Sequence, residues 1–347
     1  MATILVTGGS GAVGSLLVPR LAARHDLIAL SHRSRIPDAA NISGDLGRPR
    51  LGLDAARYRE LAARTELIVH GGASVDFGQP LPVLRQTNVQ GTAHVLELAA
   101  VHRIPVIYIS TAAVAWEDKI RQSVAAFSPR KAADPLDYLA TKGQAERLAH
   151  DSGLPVAVVR PSVLIGDSRS GRLAVRQSLQ HVLAAILRGR LPVLSLTGAE
   201  VLEVVPVDLV AEAIAALADV LLADAGHAPA DYWLTSGDAA PQAGDTLTAM
   251  AAVMAGLGRR WEPPELVPPP QMARRLAESP DGAGRLHLAD VAVLASTLAH
   301  DRPLPTSLGA IPGGPPAPTR SLLTSAMDAH LRDLAVSRRR RPSPAPI

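Results

Sequence analysis

Tyr138 and Lys142 are the residues of this chain whose types and spacing point most directly to chemistry. The sequence has 35 lysines and arginines, yet lysine stands only at positions 119, 131 and 142, and tyrosine occurs four times. In "DYLATKGQAE" (137–146) a tyrosine precedes one of these lysines by four residues, which puts both on one face of a helix. A phenol titrates at about pH 10 in water. A neighbouring ammonium favours the phenolate and lowers that value, so Tyr138 is expected to exchange a proton near neutral pH while a hydride moves. Lys142 has a second expected task, bonding ribose hydroxyls, for which the bulkier and more delocalised arginine is no equal substitute. The plain alternative is a solvated Tyr/Lys pair on an exposed helix.

A hydride needs a carrier, and "VTGGSGAVG" (6–14) supplies a site for one. Gly8, Gly11 and Gly14 fall between an apolar strand and a helical pattern. Glycines let the backbone approach a pyrophosphate, and a helix N-terminus offers free N–H groups. Thr7, Gly8, Gly11, Ala12, Val13 and Gly14 are therefore the expected dinucleotide cradle. The end of the second strand reads "LIALSHRSR" (27–35), with no acid before Asp38 to hold a ribose diol. Ser31, His32, Arg33 and Arg35 suit a 2′-phosphate instead, so NADPH is expected over NADH; a solvated basic loop is the alternative. Asp45 and Leu46, in "GDLGRP", are placed against the adenine, or Asp45 merely caps a turn. Gly71, Gly72 and Ala73 end the fourth strand in small residues that a ligand can approach. Asn88 sits in a helical pattern it does not favour, where it holds a water or backbone group near the site or is simply exposed. Ser110 and Thr111 end the fifth strand, each a hydroxyl able to meet a reacting carbonyl. Pro161 forces an extended turn after the sixth strand and, with Val163, is expected to wall the nicotinamide.

Elements that position these residues follow from the pattern. Short apolar runs at 27–31, 66–70, 105–110 and 155–160 alternate with helical patterns, including 81–102 and 138–151. Strands alternating with helices predict an α/β fold with a parallel sheet covered on both faces, and fully apolar strands agree. Pro19 is expected to kink the first helix. After about residue 165 come a polar loop "DSRSGRL", a helix, a strand at 200–207, and a helix with Asp208 as N-cap; "DYWLTSG" is a candidate further strand. The stretch 262–320 is rich in Pro and Gly and reads mostly as loop. The expected division is a dinucleotide-binding domain over 1–165, a mixed substrate-binding region over 166–335, with part of 201–235 returning to the sheet, and a disordered basic tail over 336–347. No internal repeat is present.

Composition narrows the function classes. With 47% apolar residues the chain can build a core, and with 3% aromatics that core must be mainly Ala, Val and Leu. It has no cysteine, which excludes disulfides, thiolate catalysis and Cys-ligated metals; no metal site is expected. A net charge of +3 without a basic stripe interleaved with aromatics gives no reason to expect nucleic acid. The N-terminus lacks the pattern of a signal peptide and no long uncharged apolar run appears, so the cytoplasm and no membrane span are expected. No interface signature is present, and a homodimer is one possible assembly.

In this order, "TGGSGAVG", "GDL", "STAAV", "YLATK" and "RPSV", spanning residues 4 to about 166, resemble the extended short-chain dehydrogenase/reductase family. The resemblance implies a Rossmann-type doubly wound sheet with a smaller, discontinuous C-terminal substrate-binding region. It also implies a catalytic set of Thr111, Tyr138 and Lys142. "GDLGRPRLGLD", "ELIVHGGASVDF", "NVQGTAHVLELA", "RPSVLIGDSRSG" and "VVPVDLVAEAIAAL" look like the narrower thioester reductase branch, to about residue 220. That branch includes reductase domains of peptide synthetases, carboxylic acid reductases and fatty acyl reductases, which use NADPH to reduce a carrier- or CoA-bound acyl thioester to an aldehyde or alcohol. By resemblance, a carrier protein would deliver the substrate in trans; Arg169 and Arg172 are candidates by their charge to meet its pantetheine phosphate or acids, or are equally solvated loop charges. The chain departs from the branch at "HGGAS", at His32 where arginine is usual, and at Leu139. Two other readings are an extended-family epimerase, dehydratase or dehydrogenase acting on a nucleotide sugar or hydroxy/keto substrate, and a non-catalytic NADP-binding scaffold.

Overall fold

A computed structural model describes all residues except 33, 76–78, 128–134, 229, 279–297 and 338–347. Seven strands form one parallel sheet: β1 (Thr3–Thr7), β2 (Asp26–Ser31), β3 (Ala40–Ser43), β4 (Leu67–His70), β5 (Val106–Ile109), β6 (Val156–Pro161) and, far along the chain, Ala230–Leu234. Their spatial order is β3-β2-β1-β4-β5-β6 and then Ala230–Leu234, which pairs with β6. β1 therefore has β2 on one side and β4 on the other. The chain reverses its direction of winding there, and in open parallel sheets a ligand crevice forms outside the carboxyl ends of the strands at such a point.

β4 and β6 are buried along their whole length because helices cover both faces. α1 (Gly14–Ala22) lies on one face beside α8 (Val207–Ala223). α2 (Ala55–Arg64), α4 (Gly91–Ala100) and α6 (Pro135–Asp151) lie on the other. The helical run before α4 begins with α3 (Leu81–Leu84) and passes through a π-turn at Arg85–Gln90. α5 (Glu117–Phe127) precedes α6. The Ala/Val/Leu core expected from composition splits accordingly into two main clusters, one per face.

β6 ends at Pro161, and the chain then leaves the sheet. β7 (Val163–Ile165) pairs instead with Val204–Pro206. α7 (Ser178–Leu187), α9 (Ala243–Gly256) and a C-terminal helix, Arg320–Val336, enclose a third aliphatic cluster. No helix among the described residues is long and apolar enough to cross a membrane.

Several expectations change. Residues 200–207 form two short strands in separate two-stranded sheets, whereas the return to the main sheet expected within 201–235 is made by Ala230–Leu234, at the candidate strand "DYWLTSG". Asp208 does not cap α8: Pro206 holds the N-cap position, and the Asp208 carboxylate accepts from the Ser168 backbone N–H at 2.8 Å and its hydroxyl at 2.6 Å. The Pro-rich stretch contains a helix, Pro269–Glu278. The C-terminal helix includes Val336, so the tail starts later than expected; its residues 338–347 lie outside the described set.

Candidate active site

The cradle for an anionic ligand forms where β1 turns into α1. Gly8 has φ +75° and its Cα faces the Gly71 carbonyl, so a Cβ there would overlap that backbone. A Cβ on Gly14 would strike the Gly8 carbonyl. Only glycine lets the turn close against β4 and against itself. No side chain caps α1, and its first turn holds no acid. Its first N–H groups and positive dipole end are left for an anion, and the residues present thus fit a dinucleotide pyrophosphate.

A cleft of about 260 Å³ runs from this turn past β5 to the start of α7. It is lined by Thr7, Gly8, Gly11, Ala12, Val13, Gly14, Gly71, Ala73, Thr111, Tyr138, Lys142, Pro161 and Val163, all expected from sequence, and by Ser110. Gly72 and Leu46 stand one layer behind, where the Leu46 side chain fills the space a Cβ on Gly72 would need. Asp45 accepts from the Gly47 backbone N–H at 2.9 Å, closing a turn. Ser31 ends β2, and His32 and Arg35 are exposed just beyond it. Arg33 lies outside the described residues. Asn41 pins this loop, its amide bonding Ile36 N–H at 2.7 Å and the Ile36 and Ala39 carbonyls at 2.9 and 2.8 Å.

Thr111, Tyr138 and Lys142 meet at the cleft floor. Tyr138 packs with Leu84, Ile120, Leu136 and Leu139 and hydrogen-bonds the Thr111 side chain. Burial pushes its pKa up to about 12, the Thr111 bond working the other way. This overturns one expectation: the lysine does not bring the phenol toward neutrality. Lys142 is itself buried, donates to the Ile109 carbonyl at 2.8 Å, and sits 4.4 Å from the ring centroid of Tyr108. Burial lowers its pKa to about 7, with the Glu146 charge opposing. A low-dielectric floor disfavours the charged form of both groups. Tyr138 is accordingly a neutral proton donor at physiological pH.

Behind the floor runs a chain of buried polar groups in which Thr7, Gly72 and Asn88, expected from sequence, are joined by His70, Thr92 and Thr141, which sequence reasoning missed. The Gly72 N–H donates to the Thr7 hydroxyl at 3.0 Å, which bonds His70 Nδ1 at 2.7 Å. His70 Nε2 meets the Thr92 hydroxyl at 3.1 Å, and Thr92 donates to the Asn88 carbonyl at 2.6 Å. Each donor finds one acceptor only if His70 is neutral with its proton on Nε2. Burial holds its pKa down at about 3, helped by the Lys142 charge. Asn88 is not exposed: its amide ties Ser74 N–H and C=O, at 2.8 and 3.0 Å, to the Thr141 hydroxyl at 3.0 Å. The π-turn is where this asparagine enters the core. A second missed group anchors α6 to the sheet. The Arg160 guanidinium bonds the Glu146 carboxylate at 2.7 Å and Asp231 at 2.8 Å, over the Trp233 ring. An arginine ending an otherwise apolar strand was the available signal; its partners are far apart in sequence.

The model of the family described as male sterility protein, an NAD-binding group, matches residues 31–214. The chain belongs to that family. Within the extended short-chain dehydrogenases/reductases this is the thioester reductase branch, and the chain is an NAD(P)-dependent oxidoreductase. Other likenesses accompany this match to the male sterility protein family. It is 33% identical over 211 residues to an isonitrile lipopeptide synthase of Streptomyces coeruleorubidus, covering 52% of this chain and 14% of that protein. The chain spans between 4% and 16% of the length of the curated relatives it matches. Its fold is similar to the terminal R domain of the myxalamid PKS-NRPS pathway, at a TM-score of 0.67 and 22% identity over 95% of this chain and 90% of that one. It is also similar to a UDP-glucuronic acid 4-epimerase from Bacillus cereus in complex with NAD, at a TM-score of 0.57 and 16% identity over 85% and 97%.

Proposed function

We propose that the protein is a cytoplasmic NADPH-dependent reductase of acyl thioesters, carried on a carrier protein or CoA, and that it yields an aldehyde. The observation that carries this reading is the meeting of Thr111, Tyr138 and Lys142 beside the Gly8–Gly14 turn, at the carboxyl ends of the strands. The division into a dinucleotide-binding part over 1–165 and a substrate-binding part over 166–335 belongs to the same proposal. When bound, NADPH supplies the hydride. Thr111 and Tyr138 hold the thioester carbonyl oxygen between two hydroxyls and stabilise the charge that develops there. Tyr138 gives its proton to that oxygen as the carbonyl carbon becomes tetrahedral. The hemithioacetal then collapses: the C–S bond breaks, the aldehyde forms, and the thiolate leaves and takes a proton. Lys142 orients the ribose and holds the floor electrostatically.

Tyr138, kept neutral by burial, is in the form that donates a proton to a carbonyl being reduced. His32, Arg33 and Arg35 after an acid-free strand end support NADPH as the coenzyme. Arg169 and Arg172 are exposed beside Arg332 of the C-terminal helix, in a depression also lined by Asp328 and Asp333; the three guanidinium groups are suited to the phosphate of a delivered pantetheine. The relatives' multidomain synthetases support a carrier-bound substrate.

The test is NADPH consumption with acyl-CoA and acyl-carrier substrates. Tyr138→Phe is expected to lower turnover at least about 100-fold while NADPH affinity, read by fluorescence titration, stays within about twofold. Normal turnover in that variant sinks the assignment, and tightly held, recycled NAD in the purified protein favours the epimerase-type reading.

A further inference from the structure

The surroundings of Lys142 hold an aromatic ring that the reaction itself does not use. Lys142 is 2% exposed, and it lines the cleft. Its Nζ donates to the Ile109 carbonyl at 2.8 Å and stands over the ring of Tyr108, 4.4 Å from the centroid. Tyr108 is equally buried and lies in β5, between His70 of β4 and Val158 of β6. Its ring packs against that of His70, with centroids 5.7 Å apart. Burial pushes the Tyr108 phenol well up, so the ring carries no charge. Burying an ammonium is costly unless something compensates it. An aromatic face within about 6 Å does so through the ring quadrupole, and the attraction grows where water is excluded. A carboxylate in the same place would take up N–H groups of the amine. The ring face attracts the charge and leaves N–H groups for ribose hydroxyls.

We propose that Tyr108 is a positioning residue of the site: the face of its ring holds the Lys142 ammonium, still charged, at the cleft floor. The proposal rests on the part given to Lys142 in the reductase reading and adds what keeps that amine cationic. Tyr138, one turn earlier on α6, is neutral, and so is His70. Glu146, one turn later, opposes the effect of burial on Lys142 and is itself bonded to Arg160 of β6 at 2.7 Å. Glu117 of α5 and Arg147 approach the adjoining Gly143, and Glu117 pairs with Arg121 at 2.5 Å. The Glu146 charge is thus shared with Arg160, while the Tyr108 ring serves Lys142 directly. Without the ring, the desolvated amine gives up its proton more readily, and the floor loses its positive charge.

Lysine stands only at positions 119, 131 and 142, so the full chain isotope-labelled at lysine Cε gives an NMR spectrum in which Lys142→Met identifies the Lys142 signal. Lys142 is expected to titrate at about 7. Tyr108→Leu should lower that midpoint by about one unit, and Tyr108→Phe, which keeps the ring, should restore it. Tyr138 at about 12 and His70 at about 3 titrate far from this range. Turnover with NADPH and an acyl-CoA should fall as rising pH strips the Lys142 proton, and in Tyr108→Leu that alkaline limb should move down with the midpoint. A merely structural defect lowers turnover and leaves the limb in place. Fluorinated phenylalanines introduced at position 108 weaken the ring face at nearly constant volume; a midpoint falling stepwise with fluorine content serves if Tyr108→Leu does not fold. An unmoved midpoint in either series overturns the proposal, as does a Tyr108→Phe midpoint shifted as far as that of Tyr108→Leu. Thioester turnover with an unmoved midpoint refutes the role of Tyr108 alone, whereas a moved midpoint in a protein without thioester turnover refutes the reductase reading and spares the ring.

Discussion

Along β1 and β4 the cleft wall is backed by buried polar groups that partner one another: Thr7, His70, Thr92, Asn88 and Thr141 form one run of hydrogen bonds behind the cofactor cradle. Past Pro161 the wall is backed mainly by Leu, Ile, Val and Met of the third core cluster, and its polar pins, Ser168–Asp208, Gln180 to the Leu164 carbonyl and His330 to the Gly171 carbonyl, stand around that cluster as separate contacts. The first wall fixes atoms, because hydrogen bonds lose most of their value when a donor moves or loses its partner. The second fixes a volume, because apolar packing is non-directional and tolerates swaps that conserve size. Chemistry on a bound cofactor needs fixed atoms; on the proposed thioester reading, a variable acyl group needs a volume.

Breaking the polar wall at its reactive edge should have the largest effect. Lys142→Met is expected to cost turnover at least about 100-fold. It should also stabilise the apo protein. The folded lysine titrates at about 7 instead of 10.5, so between these values the unfolded chain binds more protons and stability rises with pH. That rise should flatten in the variant, as thermal melts across this window would show.

Glu146→Ala comes next, leaving Arg160 with Asp231 alone. Breaking a buried pair costs about 3–5 kcal/mol, and the surviving partner should keep the loss near the lower end. If α6 is positioned by this pair, kcat falls more than KM rises; an unchanged kcat would make the pair purely structural. Asn88→Ala is expected to cost about 2 kcal/mol through the unsatisfied Ser74 and Thr141 groups, measured by denaturant unfolding. In the same wall His70 is held neutral with a pKa of about 3, below its unfolded value of about 6.5. Stability should therefore fall as pH drops from about 6.5 toward 3, and His70→Leu should remove that dependence. The smallest effect belongs to the aliphatic side: Met250→Leu, a volume-conserving swap, should cost under about 1.5 kcal/mol. A loss equal to that of Asn88→Ala would erase the contrast between the two walls.

Both the legible and the illegible parts of this protein have physical reasons. "VTGGSGAVG" was readable because strand, turn and helix are adjacent in sequence and the backbone itself binds the ligand. Tyr138 and Lys142 were readable because one helical turn makes them neighbours. β3 and the two short strands within 200–207 were not, since runs this short take their pairing from distant partners. Asp208 looked like a helix cap and instead holds Ser168, forty residues earlier in the chain.

By itself the sequence determined the alternation of strands and helices, the cofactor turn, and the nearness of the Tyr138 phenol to the Lys142 amine, because each depends on spacing within a few residues; the fold alone brings the Thr111 hydroxyl beside them. Tertiary structure alone decided the protonation states of Tyr138, Lys142 and His70, since these depend on how completely water is excluded. It also decided the Glu146–Arg160–Asp231 anchor and the seat of Lys142 over the Tyr108 ring, because contacts between segments far apart in the chain exist only once the sheet has closed around them.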